Sequence, residues 1–441
     1  MKFISFLFLL IFLQNCSFDN RSGIWKNENI ISNKDDNIFK EFKKLSSSSD
    51  ITIKEKEINP NFNFNFPPQQ NNSNWKDVYY NENNNLINFK YNNSNKIIFK
   101  TKKLTRFDTS DFILYEEGNI ITTDIDGNII IFSVDLNRTI QKYNFYKKEY
   151  KRLKKKLNII VQNNIIYVSD NIGYLYAYNY IENKVLWAKN YKIPFRSNLK
   201  ITKDKLIAAN QNNHIYFFNK FSGDMLRLIP TEETVIKNYF KNNILINNEN
   251  TFFLNTYGSL YSINNNDMRI NWFINLNQAI DLNPSNLFTS TELVSNNGKI
   301  IVSSNKFTYV VDTISGKIIF KHNFNCSIKP LIIKNNLFLV TKNHFLVAIN
   351  LIDGEIIYSH DMNKKIAEFL NTKKRKVDFK NMMFAKDKIY IFLKNSYFII
   401  LSLDGKIEEI NKLPNKSKTY SIFVNETMIF LNNDKRAIIL D

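Results

Sequence analysis

Cysteine, glycine, tryptophan and histidine are all scarce in this chain. Two cysteines in 441 residues, Cys16 and Cys326, exclude a disulfide scaffold. The four histidines form no His-x-x-x-His pair and there is no Cys-x-x-Cys, so a transition-metal signature is missing. No dense run of Asp and Glu offers the many oxygen ligands that calcium takes. Gly-x-Ser-x-Gly and Gly-x-x-x-x-Gly-Lys are absent as well, which removes the hydrolase elbow and the phosphate loop. Ten glycines are few for a β protein, and the heavy use of Asn, Lys and Ile reads as an AT-rich coding bias. What is present points to a packed chain: 44% hydrophobic and 14% aromatic residues bury too much surface for a disordered polyelectrolyte. The net charge of +19 is spread along the chain without an aromatic-spaced RNA motif, so no nucleic-acid partner is expected.

The N-terminus carries the most specific local signal. Lys2 precedes an apolar run over residues 3–13, too short to span a bilayer and suited to an export signal. The run closes on Leu13-Gln14-Asn15-Cys16, which resembles a bacterial lipobox. That resemblance implies cleavage of residues 1–15, acylation of Cys16 and a lipid anchor, each buried methylene contributing about 0.8 kcal/mol. Ser17, where Asp would signal inner-membrane retention, implies the outer membrane, facing the periplasm. Residues 16–74 read as a low-complexity tether: a serine run at 46–49, then an Asn-rich stretch with Pro60, Pro67 and Pro68. Phe62, Phe64 and Phe66 alternate within it and could dock as a short strand.

From residue 75 the chain repeats. Segments at 127–135, 173–179, 213–219, 258–264, 307–312, 344–350, 396–402 and 436–441 are short apolar strands, most ending on Asp or Asn. Several are followed by a glycine turn (Gly223, Gly316, Gly354, Gly405), where positive φ lets the chain fold straight back. The next strand often carries an aromatic: Trp187, Trp272, Phe320, Tyr358. A period of roughly 38 to 52 residues is that of a four-stranded propeller blade. Blades must stack about an axis to bury their faces. The fold class expected for residues 75–441 is therefore all-β, an eight-bladed propeller. The last repeat stops at Asp441 short of its outer strand, so the spare strands at 86–91 and 96–101 are expected to complete that blade with the C-terminal strands.

Gly173, Leu175, Ala177 and Asn179 followed by Trp187, and more loosely Gly258, Leu260, Ile263 and Asn264 followed by Trp272, resemble the PQQ-like propeller repeat. With the lipobox, the chain is similar to the BamB-like lipoproteins of the outer-membrane β-barrel assembly machinery. The resemblance implies a non-enzymatic scaffold with no cofactor, whose partner is the periplasmic domains of a BamA-like β-barrel protein. Ile193-Pro194-Phe195-Arg196 occupies the place of the family's partner loop, with Ile193 and Phe195 as apolar anchors and Arg196 as the polar one. Where the family has an acidic pair, this chain has Asn238, Lys241, Asn242 and Asn243.

Two other readings stay open. Quinoprotein (PQQ-dependent) dehydrogenases share this repeat, although Cys326 has no adjacent cysteine. The propeller could equally bind another envelope partner. Basic clusters at Lys151, Arg152, Lys154 and Lys155 and at Lys374 and Arg375 fall between repeats, in connections expected to share one face with Ile193–Arg196 and to form a basic rim. Ile366, Phe369 and Leu370 stand at helical spacing within the second connection. His214 and His344 are read as equivalent blade positions and no site.

Overall fold

In a computed structural model the description covers residues 16–18, 25–27, 53–234, 241–277, 287–304, 306–373 and 376–441. The expected signal at 1–15 and the serine run lie outside the described residues. Residues 1–52 form one unit, in which Cys16–Phe18 pairs antiparallel with Trp25–Asn27. The second unit runs from Ile53 to Asp441.

That second unit contains eight four-stranded antiparallel sheets, seven of them meanders of sequential strands. Blades 1 to 8 begin at Leu114–Glu116, Leu157–Gln162, Lys200–Thr202, Asn243–Asn247, Val294–Asn296, Leu331–Ile333, Phe379–Ala385 and Ile422–Val424. First strands of successive blades lie beside one another and are largely buried, whereas fourth strands such as Arg138–Asn144 and Ile270–Asn275 are largely exposed. The axis of an eight-bladed propeller thus runs along the first strands.

Local chemistry repeats with the blades. First and second strands join through two-residue turns with positive φ, for instance Asn163-Asn164 and Asn297-Gly298. Half of the described non-glycine residues with positive φ are asparagine, which is how a chain short of glycine makes these hairpins. At the end of the second strand a side-chain oxygen gathers the N–H groups of the following turn. Asp124 Oδ1 accepts from Asn128 at 3.0 Å, Asn210 Oδ1 from His214 at 3.0 Å, and Thr341 Oγ1 from Phe345 at 3.0 Å.

The ring closes without a covalent joint. Ile97–Lys100 pairs with Ala437–Leu440, completing blade 8 around three C-terminal strands, as the split last repeat implies. The other spare stretch does not join it. Residues 75–91 make one circuit inside the axis, touching the first strand of each blade in turn, because those strands leave inward-facing backbone groups unpaired. Trp75 exchanges two backbone hydrogen bonds with Tyr115 of blade 1 at 2.7 and 2.8 Å, and Lys76 O accepts from Val161 of blade 2 at 3.0 Å. Asp77 meets Lys200 of blade 3, and Glu82 O accepts from Ile246 of blade 4. Asn83 O accepts from Ser295 of blade 5, Asn85 brackets Ile332 of blade 6, Phe89 N–H donates to Phe384 O of blade 7, and Tyr91 packs on Phe423 of blade 8.

The tether expected over residues 16–74 gives way at Ile53 to chain laid on the propeller. Lys56 exchanges backbone hydrogen bonds with Ser359, on the outer strand of blade 6, at 3.0 and 2.9 Å. Phe64 packs on Phe338, with Phe62 against it, while Phe66 stays exposed. Alternating phenylalanines find an apolar seam here that low complexity conceals. The short helix α1, Met362–Phe369, follows blade 6, with Ile366 buried and Phe369 and Leu370 exposed.

Candidate partner-binding face and axial cavity

Each connection from a fourth strand to the next first strand emerges on the same end of the ring, which brings the three sequence-predicted loops to one face. Lys151, Arg152 and Lys154 are exposed there, beyond the 3-10 turn Lys148–Tyr150. Lys155 departs from the expected rim. It is 3% exposed, its N–H donates to Ile125 O at 2.9 Å, and its ammonium lies 5.4 Å from the Tyr146 ring centroid. Lys374 and Arg375 lie outside the described residues.

Ile193 and Arg196 are half-buried at this surface, but Phe195 is not available as an anchor. At 2% exposure it fills the seam between blades 2 and 3, against Tyr191, Tyr216 and Phe218. Its N–H donates to Asp170 O at 2.9 Å, Arg196 N–H donates to Ala209 O at 2.9 Å, and Arg196 O accepts from Asn242 at 2.8 Å. The loop is therefore pinned to blades 2, 3 and 4. Asn242 and Asn243 are buried and structural, the latter donating to Ser290 Oγ at 2.8 Å, while Lys241 lies over Phe112. Asn238 lies outside the described residues.

At the centre of this face the axial circuit floors a cavity of about 390 Å³, with Trp75, Val78, Tyr79 and Leu86 beneath and Phe379, Met383 and Tyr420 among its walls. Sequence reasoning missed it; the only signal was an aromatic stretch, residues 75–91, that matched neither repeat nor tether. Two lysines, Lys200 and Lys329, hold the circuit down, and a third, Lys380, braces the cavity wall. Buried Lys200 donates to Asp77 Oδ2 at 2.7 Å, Asn84 Oδ1 at 2.6 Å and Asn81 O at 2.6 Å. Burial lowers its ammonium pKa, an effect that the Asp77 carboxylate opposes. Lys329, deep among its neighbours yet reached by solvent through the cavity, donates to Asn84 O at 2.8 Å, and burial pushes it down to about 8. Lys380 donates to Thr419 O at 2.7 Å and Ser417 O at 2.9 Å and is likewise pushed down to about 8 by burial. Burial, then the nearby Glu292 carboxylate, raises the Tyr79 phenol well above its ordinary range.

Among the described residues Glu292 is the one carboxylate lining the cavity, set among three lysines, Lys329, Lys380 and Lys394. A calcium-bound quinone does not fit this donor set, because calcium wants several anionic oxygens and the cavity offers positive charge. Among the described residues no three His, Cys, Asp or Glu side chains are grouped to hold a metal. Cys326 is buried with its thiol pushed up to about 11 by burial, so thiolate chemistry is disfavoured. The two histidines read as equivalent are offset by one place: Phe345, bonded to Thr341, matches His214, bonded to Asn210, and left-handed His344 matches Asn213.

No family model and no curated protein matches the chain. Solved structures do. BamB from Moraxella catarrhalis superposes with a TM-score of 0.61 at 12% identity, covering 78% of this chain and 99% of its own. The fold is that of a BamB-like, PQQ-repeat propeller. A europium-containing methanol dehydrogenase follows at TM-score 0.60 and 9% identity, covering 83% of this chain and 89% of its own. Quinohemoprotein alcohol dehydrogenase from Comamonas testosteroni gives 0.59 at 9% identity, covering 83% and 80%. The propeller is thus shared by BamB and by dehydrogenases, and the residues of the face and the axis have to separate the two readings.

Proposed function

We propose that the protein is a non-enzymatic scaffold of the outer-membrane β-barrel assembly machinery. It is anchored through acylated Cys16 at the periplasmic face of the outer membrane after loss of residues 1–15, and it binds the periplasmic domains of a BamA-like β-barrel protein. The observation that carries this reading is the loop at residues 193–196, fixed by backbone hydrogen bonds to three blades and presenting Ile193 and Arg196 beside the exposed Lys151, Arg152 and Lys154. Rigid apolar and Arg groups at a fixed spacing lose little entropy on docking. The chain that fills the axis, and a cavity poor in carboxylates, favour the scaffold over a PQQ-dependent dehydrogenase.

Co-purification of a β-barrel protein with periplasmic repeats tests the reading, repeated with Ile193→Ala and Arg196→Ala together. Loss of recovery is expected; full recovery sinks the loop assignment, and a different envelope protein in its place sinks the partner. Phe195 is left unchanged because its replacement would open the seam. Quinone and calcium titrations that show saturable binding would return the enzyme to first place.

A further inference from the structure

Five large apolar side chains stand at the tips of the turns between third and fourth strands: Leu136, Ile181, Phe221, Ile314 and Ile352. They are 58%, 60%, 67%, 85% and 69% exposed. Four of the tips are fixed by one device, a preceding Asn or Asp whose side-chain oxygen accepts the tip's N–H. Asn179 takes Ile181 at 3.0 Å, Asn219 takes Phe221 at 2.8 Å, Asp312 takes Ile314 at 3.1 Å and Asn350 takes Ile352 at 3.0 Å. The backbone is held and the side chain projects. Blade 4 carries Asn266 at this position, and the blade 7 turn is a residue shorter, so the tips form an arc over blades 1 to 3, 5 and 6. In antiparallel meanders these turns lie at the end of the ring opposite the partner-binding face.

We propose that this end of the propeller docks on a lipid bilayer, with the tips inserted into the neutral interfacial region. Tips on five separate blades need a surface that yields under each of them, and a fluid interface does so without matching pockets. The tip turns carry no excess of positive charge: Asp135 stands against Arg138, Glu182 against Lys184, Asp224 against Lys220 and Asp312 against Lys317, while the Ile352 turn holds Asp353 and Glu355, so attraction to anionic head groups is not the driving force. Part of the argument rests on the lipid-anchor reading: Cys16 pairs with Asn27, and the 25 residues between Asn27 and Ile53 have a contour length of at most roughly 90 Å, which puts a bilayer within reach of either end of the ring. The basic face is then left free for the protein partner.

The test uses the full mature chain with Cys16→Ser, so that no acyl chain contributes, sedimented with sucrose-loaded phosphatidylcholine vesicles. The parent is expected to bind, and Phe221→Ser, Ile314→Ser and Ile352→Ser combined to weaken binding about tenfold or more at unchanged melting temperature. Leu226→Ser with Leu228→Ser, on the exposed outer strand of blade 3, should leave vesicle binding intact. A parent that does not bind, equal binding by the triple variant, equal weakening by the strand variant, or a parental dimer lost in the triple variant would each overturn the proposal. Neither the partner nor the acyl chain enters this measurement, so a failed co-purification leaves it standing, and its own failure leaves the partner-loop reading untouched.

Discussion

The indole of Trp187 in blade 2 lies against Gly223 in blade 3, so close that a Cβ on the glycine would stand 2.3 Å from Trp187 Cε3. Trp187 Nε1 donates to Lys220 O of the same turn at 2.9 Å. The relationship recurs: Trp272 covers Gly316, Phe320 covers Gly354 and Tyr358 covers Gly405. Where the matching position is not aromatic, the next turn has no glycine. Gln141 precedes Asn183 and Arg227 precedes Met268, both left-handed at φ 52° and 57°. Left-handed geometry alone therefore does not require glycine in these turns; the aromatic of the preceding blade does.

Gly223→Ala is expected to cost about 3 kcal/mol, part from φ 73° and part from the displaced indole. In a Trp187→Ala background the same change should cost only about 1 kcal/mol, since only the backbone part remains. Denaturant midpoints of the four proteins give the coupling, and additive effects would mean that the indole and the glycine do not constrain each other.

Those aromatic-and-glycine pairs explain how much of the ring was legible. Blade number, the glycine turns and the closing strand at Ile97–Lys100 all rest on a period that recurs every blade. The axial circuit was hidden because it meets each blade once, through backbone groups and scattered asparagines, and so has no period of its own. Phe195 read as an anchor because aromatics suit interfaces; its burial depends on Tyr216 and Phe218 from the next blade. Lys155 read as rim because its neighbours are exposed, yet Tyr146 nearby in sequence gives its stem a place to pack.

Asp77 and Lys200 fix the circuit to blade 3, both buried and 2.7 Å apart. Asp77→Asn leaves a buried ammonium without its counter-ion and should destabilise by about 3 to 5 kcal/mol. Replacing both, Asp77→Asn with Lys200→Met, should recover part of the loss. A double variant no better than the single one in thermal or denaturant unfolding would show that the pair is not the anchor.

Lys329 should make stability rise with pH. Its folded pKa, about 8, lies below the unfolded value of roughly 10.4, so between these the unfolded chain binds the extra proton. The cost of the buried charge is fully present below pH about 8 and fades as pH climbs toward 10. Cys326 works in the opposite sense, its thiol held up at about 11 when folded, and Lys380 in the same sense. The comparison is therefore Lys329→Met against its parent between pH 7.5 and 9.5, where both other groups cancel. The parent should gain stability relative to the variant; parallel profiles would contradict the shift.

Blade 8 is held by pairing between the first and last strands of the ring. Ala437 N–H donates to Thr101 Oγ1 at 2.9 Å, and Thr101 N–H donates to Ala437 O at 3.0 Å, both buried. Thr101→Val keeps the shape and removes the acceptor, leaving the Ala437 N–H unsatisfied at a cost of about 1 to 3 kcal/mol, while Thr101→Ser retains the bond. Because this joint closes the whole ring, the loss should appear as a lower global unfolding midpoint and as faster amide exchange in Ala437–Leu440 and Ile97–Lys100 together. Faster exchange confined to one of the two strands would mean that they are not a single closing unit.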